Sequence, residues 1–270
     1  MVENIEISMF SKLKKSTTIK INIIMKILVC ISHVPDTTSK INFTENDTKF
    51  DTNGVNFVIN PNDEFGLTRA MWFKEKQGAS VHVINVGGPE TEPTLRKALA
   101  IGADEAIRID TPATDGYSVA VQLASVAKQG GYDLIIGGRE SIDYNGGMVP
   151  GMVAKIIDAN FINTCISLEV EDAMVTAVRE IDGGKETLQT TLPLVIGGQK
   201  GLVEESDLRI PNMRGIMQAR SKPLHIKPAM EQSPRSEATT YEKPAPRGAV
   251  KLVDTVDELI DLLHNEAKVI

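Results

Sequence analysis

The chain has 270 residues, 41% of them hydrophobic, and carries a formal net charge of −7. That length buries one substantial core, as one large domain or two small ones. Acidic and basic residues are mixed along the chain and only 4% of residues are aromatic, which excludes a dedicated nucleic-acid binder: such a protein needs a basic stripe to displace counterions from phosphates and aromatic platforms to stack bases.

No run is apolar enough over a membrane's thickness, so no membrane insertion is expected. The first 24 residues, with Glu3 and Glu6 beside Lys12, Lys14, Lys15 and Lys20, read as an extension, either disordered or lying upstream of a true start at Met25. The early glutamates and the lack of arginine disfavour a mitochondrial presequence, so a bacterial cytoplasmic location is expected, with the mitochondrial matrix as alternative. Apolar β-branched runs then alternate with helix-period segments. Ile27–Ile31 reads as the first strand, and residues 41 to 58 as a polar hairpin turning at Asn53-Gly54. A helix is expected from Pro61 to about Gln77, with Asn62 or Asp63 as cap and Gly78 as stop. Further strands are expected at Ser80–Val86, Glu105–Ile109 and Asp133–Ile136, with helices at about 95 to 101, 116 to 129 and 148 to 158. This βα alternation implies a parallel sheet with helices on both faces. After residue 160 the pattern changes to antiparallel strands at Ile166–Val170, Met174–Ile181 and Thr187–Leu192, followed by Leu194–Gly197. From about 201 proline and charge rise, and the segment reads as an arm that buries no core of its own, closed by a helix at 255 to 265.

In an open parallel sheet, ligands bind outside the carboxyl ends of the strands. Three such ends carry small residues: Cys30-Ile31-Ser32, Val86-Gly87-Gly88 and Gly137-Gly138. The last leads into Gly138-Arg139-Glu140-Ser141-Ile142-Asp143-Tyr144-Asn145-Gly146-Gly147-Met148-Val149 and then Pro150. Free N–H groups at a helix start there would face a phosphate. The run is neither a Walker A loop nor a GxGxxG fingerprint, and by its residues alone it reads equally as a nucleotide loop or an ordinary glycine-rich connection. Asp143 reads as a ribose ligand or a turn residue, and Arg139 as a phosphate contact or a solvated charge. His33, His82, His225 and His264 are scattered with neither metal spacing nor a partnered nucleophile, so no metal centre and no catalytic residue is expected.

Ala177-Val178-Arg179-Glu180-Ile181-Asp182-Gly183-Gly184-Lys185-Glu186-Thr187-Leu188, followed by Leu192-Pro193-Leu194-Val195-Ile196, closely resembles the β-subunit signature of electron-transfer flavoproteins. Val34-Pro35-Asp36-Thr37-Thr38, Asn60-Pro61-Asn62-Asp63-Glu64, Ala98 to Asp104, Gly138 to Asp143 and Pro211 to Pro223 match the family in order, so the resemblance spans nearly all of Met25 to Ile270. It implies an αβ heterodimer that takes electrons from flavin dehydrogenases, such as acyl-CoA dehydrogenases, and passes them to a quinone-linked oxidoreductase. The redox FAD would be held mainly by the α subunit, and the β subunit would bury an AMP, or a second FAD in bifurcating members. Carried over by motif, Cys30, Asn60, Pro61, Asn62, Asp63, Gly87 and the loop from Gly138 through Arg139, Ser141, Asp143, Asn145, Gly146, Gly147 and Met148 to Val149 would line the nucleotide site. Thr37 would lie near the flavin. Met213, Arg214, Gly215, Ile216 and Met217 would form the partner-recognition loop, with Met213 where the family usually has an anchoring leucine.

The chain departs from the pattern at Gly147-Met148-Val149, where the family's polar phosphate-binding side chains are missing and backbone N–H groups remain, and at Glu140, which replaces a glutamine. The expected architecture is a Rossmann-like α/β domain over residues 25–200, with a small antiparallel addition, and an extended C-terminal arm over 201–270 that packs on the partner subunit. Two other readings share this architecture: an adenine-nucleotide-binding regulatory module of the universal-stress type, and an ATP pyrophosphatase. The Asp182-Gly183-Gly184 hairpin and the proline-rich arm favour the flavoprotein, and the absence of a Ser/Gly-rich phosphate loop disfavours the pyrophosphatase.

Overall fold

The structure is a computed structural model that describes residues 24–246 and 248–270. The expectation for the first 24 residues therefore lies, Ile24 apart, outside the described residues. Along the chain the elements are β1 (Lys26–Cys30), β2 (His33–Pro35), β3 (Phe43–Thr44), β4 (Lys49–Phe50), β5 (Phe57–Ile59), α1 (Pro61–Gln77), β6 (Ser80–Val86), α2 (Glu92–Ile101), β7 (Glu105–Asp110), α3 (Gly116–Gly130), β8 (Leu134–Gly138), α4 (Val149–Ile157), β9 (Asn160–Glu171), β10 (Met174–Ile181), β11 (Gly184–Thr191), β12 (Leu194–Gly198), α5 (Met213–Ala219), β13 (Leu224–Pro228) and α6 (Val256–Asp261).

The described residues divide into two units, one within 24–40 and 53–237, the other within 41–52 and 238–270. The larger unit holds a nine-stranded sheet in the order β11-β10-β9-β12-β8-β1-β6-β7-β13. Strands from β12 to β13 pair in parallel, while β9, β10 and β11 form the antiparallel addition. Alternate residues along β1 point to opposite faces. Ile27 and Val29 join a core with Leu67 and Ala70 of α1 and Leu95 and Leu99 of α2. Leu28 joins a second core with Leu123 of α3 and Val153 of α4. Helices on both faces bury these strands twice over, which is why they read as continuous apolar runs.

Five local expectations need correction. The hairpin of residues 41 to 58 turns at Glu45, Asn46 and Asp47, all with φ between 52 and 60°, and Gly54 sits in a separate turn. Neither Asn62 nor Asp63 caps α1: Asn60 is the N-cap residue, its side chain makes no capping bond, and Pro61 opens the helix. The strand expected at 166 to 170 runs from Asn160 to Glu171, its first half parallel to β12. The recognition loop contains a helix, α5, over its five named residues. Residues 201–237, the start of the stretch expected as an arm, carry α5 and β13, and β13 adds to the sheet edge in parallel with β7.

In the smaller unit, β3 and β4 form a short hairpin. The Phe43 and Tyr241 rings stack with centroids 5.0 Å apart, the Tyr241 N–H donates to the Asp47 carbonyl at 2.7 Å, and Lys243 Nζ donates to Asn42 Oδ1 at 2.7 Å. Thr255 caps α6 by accepting the Glu258 N–H at 3.2 Å. Val256, Leu259 and Ile260 of α6 are exposed. No helix among the described residues is long and apolar enough to cross a membrane.

Candidate functional site

Strand order locates the crevice. From β1 the sheet grows through β6 and β7 to one side and through β8 and β12 to the other. The β1/β8 boundary is thus the topological switch point, where loops leaving the carboxyl ends diverge and leave room for a ligand. Those loops are Ile31-Ser32 after β1 and residues 139 to 148 after β8.

The Asn60-Pro61-Asn62-Asp63 motif joins the two loops. The Asp63 carboxylate is buried and accepts the Ser32 N–H on one oxygen and the Gly138 N–H on the other, each at 2.7 Å. Burial pushes its carboxyl up to about 7, against the opposing pull of hydrogen bonds from Ser32, Asn60 and Gly138. Asn60, fully buried, donates its Nδ2 to the Glu140 carbonyl at 2.9 Å and accepts the Ile142 N–H at 3.3 Å. Asn62 adds a second donor to the Glu140 carbonyl at 3.2 Å. Gly138 has to be glycine, because a Cβ there would collide with Asp63, Asn62 and Asn60. These side chains clasp the backbone that borders the crevice.

Cys30 ends β1 as a free cysteine whose residue is partly exposed, but burial of the thiol itself, together with the nearby Asp63 charge, raises its pKa far above the ordinary range. Gly87 follows β6: its N–H donates to the Ile109 carbonyl at 3.1 Å and its carbonyl accepts from Arg108 at 3.0 Å. Arg139 continues the β8 pairing through its N–H to the Gly198 carbonyl at 2.8 Å. Its guanidinium pairs with Glu140 at 2.9 Å and with Gln199 Oε1 at 3.3 Å, and Gln199 in turn donates to Glu180. Arg139 is therefore not a bare solvated charge.

The outer loop is organised by its own residues. Asp143 accepts the Ser141 hydroxyl and, at 2.9 Å, the Tyr144 N–H, and these bonds hold the turn. Ser141 and Gly146 form a β-bridge, and Asn145 adopts φ +50°. Met148 precedes α4 with no side-chain cap, and Pro150 sits in the first turn. Nothing lies within 4 Å of a Cβ placed on Gly146. An uncapped helix start beside an open glycine offers main-chain N–H groups to an anion.

Thr37 is exposed in the turn after β2. That turn is fixed by the Asp36 carboxylate, which accepts the Thr38 hydroxyl at 2.6 Å and the Thr38 N–H at 2.8 Å. Met213 to Met217 lie elsewhere. On α5 they pack beside the end of α2, and the chain then enters β13 next to the start of β7. The two candidate sets thus occupy opposite ends of the sheet. The buried polar clasp was not read from the sequence; its only signal was an Asn-Pro pair at a helix start followed by an acid that caps nothing. The chain from Gln199 to Glu180 had no local signal at all.

Comparison with known proteins agrees with this architecture. Residues 47–231 match the family model described as electron transfer flavoprotein domain. The chain is 35% identical to the electron transfer flavoprotein subunit beta of Bacillus subtilis strain 168, over 91% of this chain and 100% of that protein. It is 32% identical to the corresponding subunit of Syntrophomonas wolfei, over 91% and 98%, and 33% identical to the mitochondrial one of Arabidopsis thaliana, over 91% and 100%. This chain belongs to the electron-transfer flavoprotein family and, within it, to the β subunits.

Proposed function

We propose that the chain is the β half of a heterodimeric electron carrier, taking electrons from flavin dehydrogenases such as acyl-CoA dehydrogenases and passing them to a quinone-linked oxidoreductase. The redox FAD belongs mainly to the α subunit, with Thr37 on the β side facing the flavin. The β chain contributes scaffold, nucleotide and docking surface, and performs no bond chemistry of its own.

The observation that carries this reading is the clasp that Asn60 and Asp63 form on the loops at the switch point. The donor set there fits an adenine nucleotide, AMP or a second FAD, held through backbone. The start of α4 is uncapped, the Gly146 face is open, and Asn60 and Asp63 fix the loop geometry from behind. The nucleotide supplies an anionic phosphate and a flat base. Gly147, Met148 and Val149 would meet the phosphate with N–H groups, while Cys30 and Gly87 border the crevice without crowding it. Because Arg139 is already paired with Glu140, main-chain dipoles carry the electrostatic work.

The exposed apolar side chains of α6 suit burial against the α subunit, and Met213 suits docking to the dehydrogenase. The location proposed is the bacterial cytoplasm, with the mitochondrial matrix as the alternative. Expressed alone, the chain should be colourless; coexpressed with its α subunit, it should give a yellow heterodimer. A stable single chain holding stoichiometric FAD would overturn the proposal.

A further inference from the structure

The docking helix α5 has seven residues, a length at which an isolated helix does not hold its shape in water. What fixes it is an exchange of charges with α2. Arg96, in the middle of α2, sends Nη1 to the carbonyls of Ala219, at 2.8 Å, and Lys222, at 2.9 Å, closing the C-terminal end of α5. Lys222, just past α5, returns Nζ to the carbonyls of Leu99, at 3.0 Å, and Ala103, at 2.6 Å, closing the end of α2. Each helix thus supplies the cation that satisfies the other's terminal carbonyls, and such charge-assisted bonds are stronger than neutral ones.

The remaining contacts point the same way. Asn212 caps the other end of α5 by accepting the Gly215 N–H at 2.8 Å. A Cβ on Gly215 would collide with the Ala100 carbonyl, so the two helices touch backbone to backbone. Ala219 is buried, whereas Met213 and Met217 are 75% and 69% exposed. Held on one side and bare on the other, α5 offers its methionines in a single arrangement.

We infer that Arg96 and Lys222 are positioning residues for electron transfer: they lock α5 onto α2 so that the Met213 face meets the dehydrogenase already ordered, and association does not have to bear the cost of ordering it. This rests on the docking role proposed for Met213. The test uses the αβ complex and an acyl-CoA dehydrogenase reduced by its acyl-CoA substrate. Arg96→Met and Lys222→Met keep the aliphatic stem and lose the donors. Each should raise the KM for the carrier by roughly five- to tenfold at unchanged kcat, and Arg96→Lys should recover much of the loss. Amide hydrogen exchange over residues 213–219 should quicken in the methionine variants and stay slow in Met213→Ala. Combining Arg96→Met with Met213→Ala should raise KM no further than Met213→Ala alone. Wild-type exchange and KM in both methionine variants, or a double variant whose effects multiply, would overturn the inference. If Met213→Ala alone leaves KM unchanged, the docking role fails, and the exchange measurements still decide whether the charges lock the helix.

Discussion

Asn60 and Asn62 are two residues apart in one motif, and both donate to the Glu140 carbonyl, yet their removal should have very different costs. Asn60→Ala deletes a 2.9 Å donor and also the acceptor of the Ile142 N–H, from a side chain with no solvent exposure. The Glu140 carbonyl keeps Asn62 as donor, but the Ile142 N–H loses its acceptor. Two neutral hydrogen bonds at about 1 kcal/mol each, plus the penalty for a stranded N–H, come to about 2–4 kcal/mol. For a chain of this size that lowers the thermal midpoint by on the order of 5–12 °C. Asn62→Ala removes one longer bond, at 3.2 Å, to a carbonyl that keeps its Asn60 partner, so its cost should stay under about 0.5 kcal/mol. Thermal unfolding of the αβ complex, with limited proteolysis of the 139 to 148 loop, measures both. A midpoint shift below about 1 °C for Asn60→Ala, or an equal shift for Asn62→Ala, would refute the clasp.

Two other outcomes follow from the same crevice. Asp63, lifted to about 7 by burial, keeps a proton in the folded protein that the unfolded chain releases above its ordinary value of 3.8. The stability from this group should therefore be complete below that ordinary value and be lost as pH rises through about 7. Proton uptake on refolding, measured in buffers of different ionisation enthalpy, should appear in this window and vanish in Asp63→Asn; equal uptake in the variant would remove the assignment. Gly147→Pro deletes one main-chain donor at the α4 start, and the adenine nucleotide released on denaturing the complex should fall, while Gly147→Ala, which keeps the N–H, should retain more of it. Full nucleotide content in the proline variant would show that this N–H is not used.

The parallel core was legible because its signals are local. β1 and β8 are largely apolar runs of strand length, β6 and β7 carry β-branched or small apolar residues between their polar ones, and glycines stop α1 and α2 where expected. What escaped was set by distant partners. The first half of β9 contains Asn160, Asn163 and Thr164, the last with φ +50°, and becomes a strand because β12 pairs with it from over thirty residues downstream. β13 is flanked by Pro223 and ends at Pro228, so its composition reads as irregular until β7 supplies a partner. The same holds for the site. Residue types announced a polar motif before a helix and a glycine-rich loop, but the inward direction of Asn60 and Asp63 and the pairing of Arg139 with Glu140 depend on three segments meeting at once.

The late arrival of β13 has a consequence for how the protein is made. Until residues 224–228 leave the ribosome, β7 presents an unpaired parallel edge, and its covering strand is encoded about 115 residues later. At about 5–20 residues per second, that edge stays bare for on the order of 6–23 s, in a topology whose long-range pairing is slow to begin with. The finished border is better guarded, since β13 ends in Lys227 and Pro228, residue types that discourage another chain from adding on. The nascent chain is therefore most exposed to aggregation during a defined interval of its synthesis, and a premature stop anywhere between β7 and β13 would make that interval permanent.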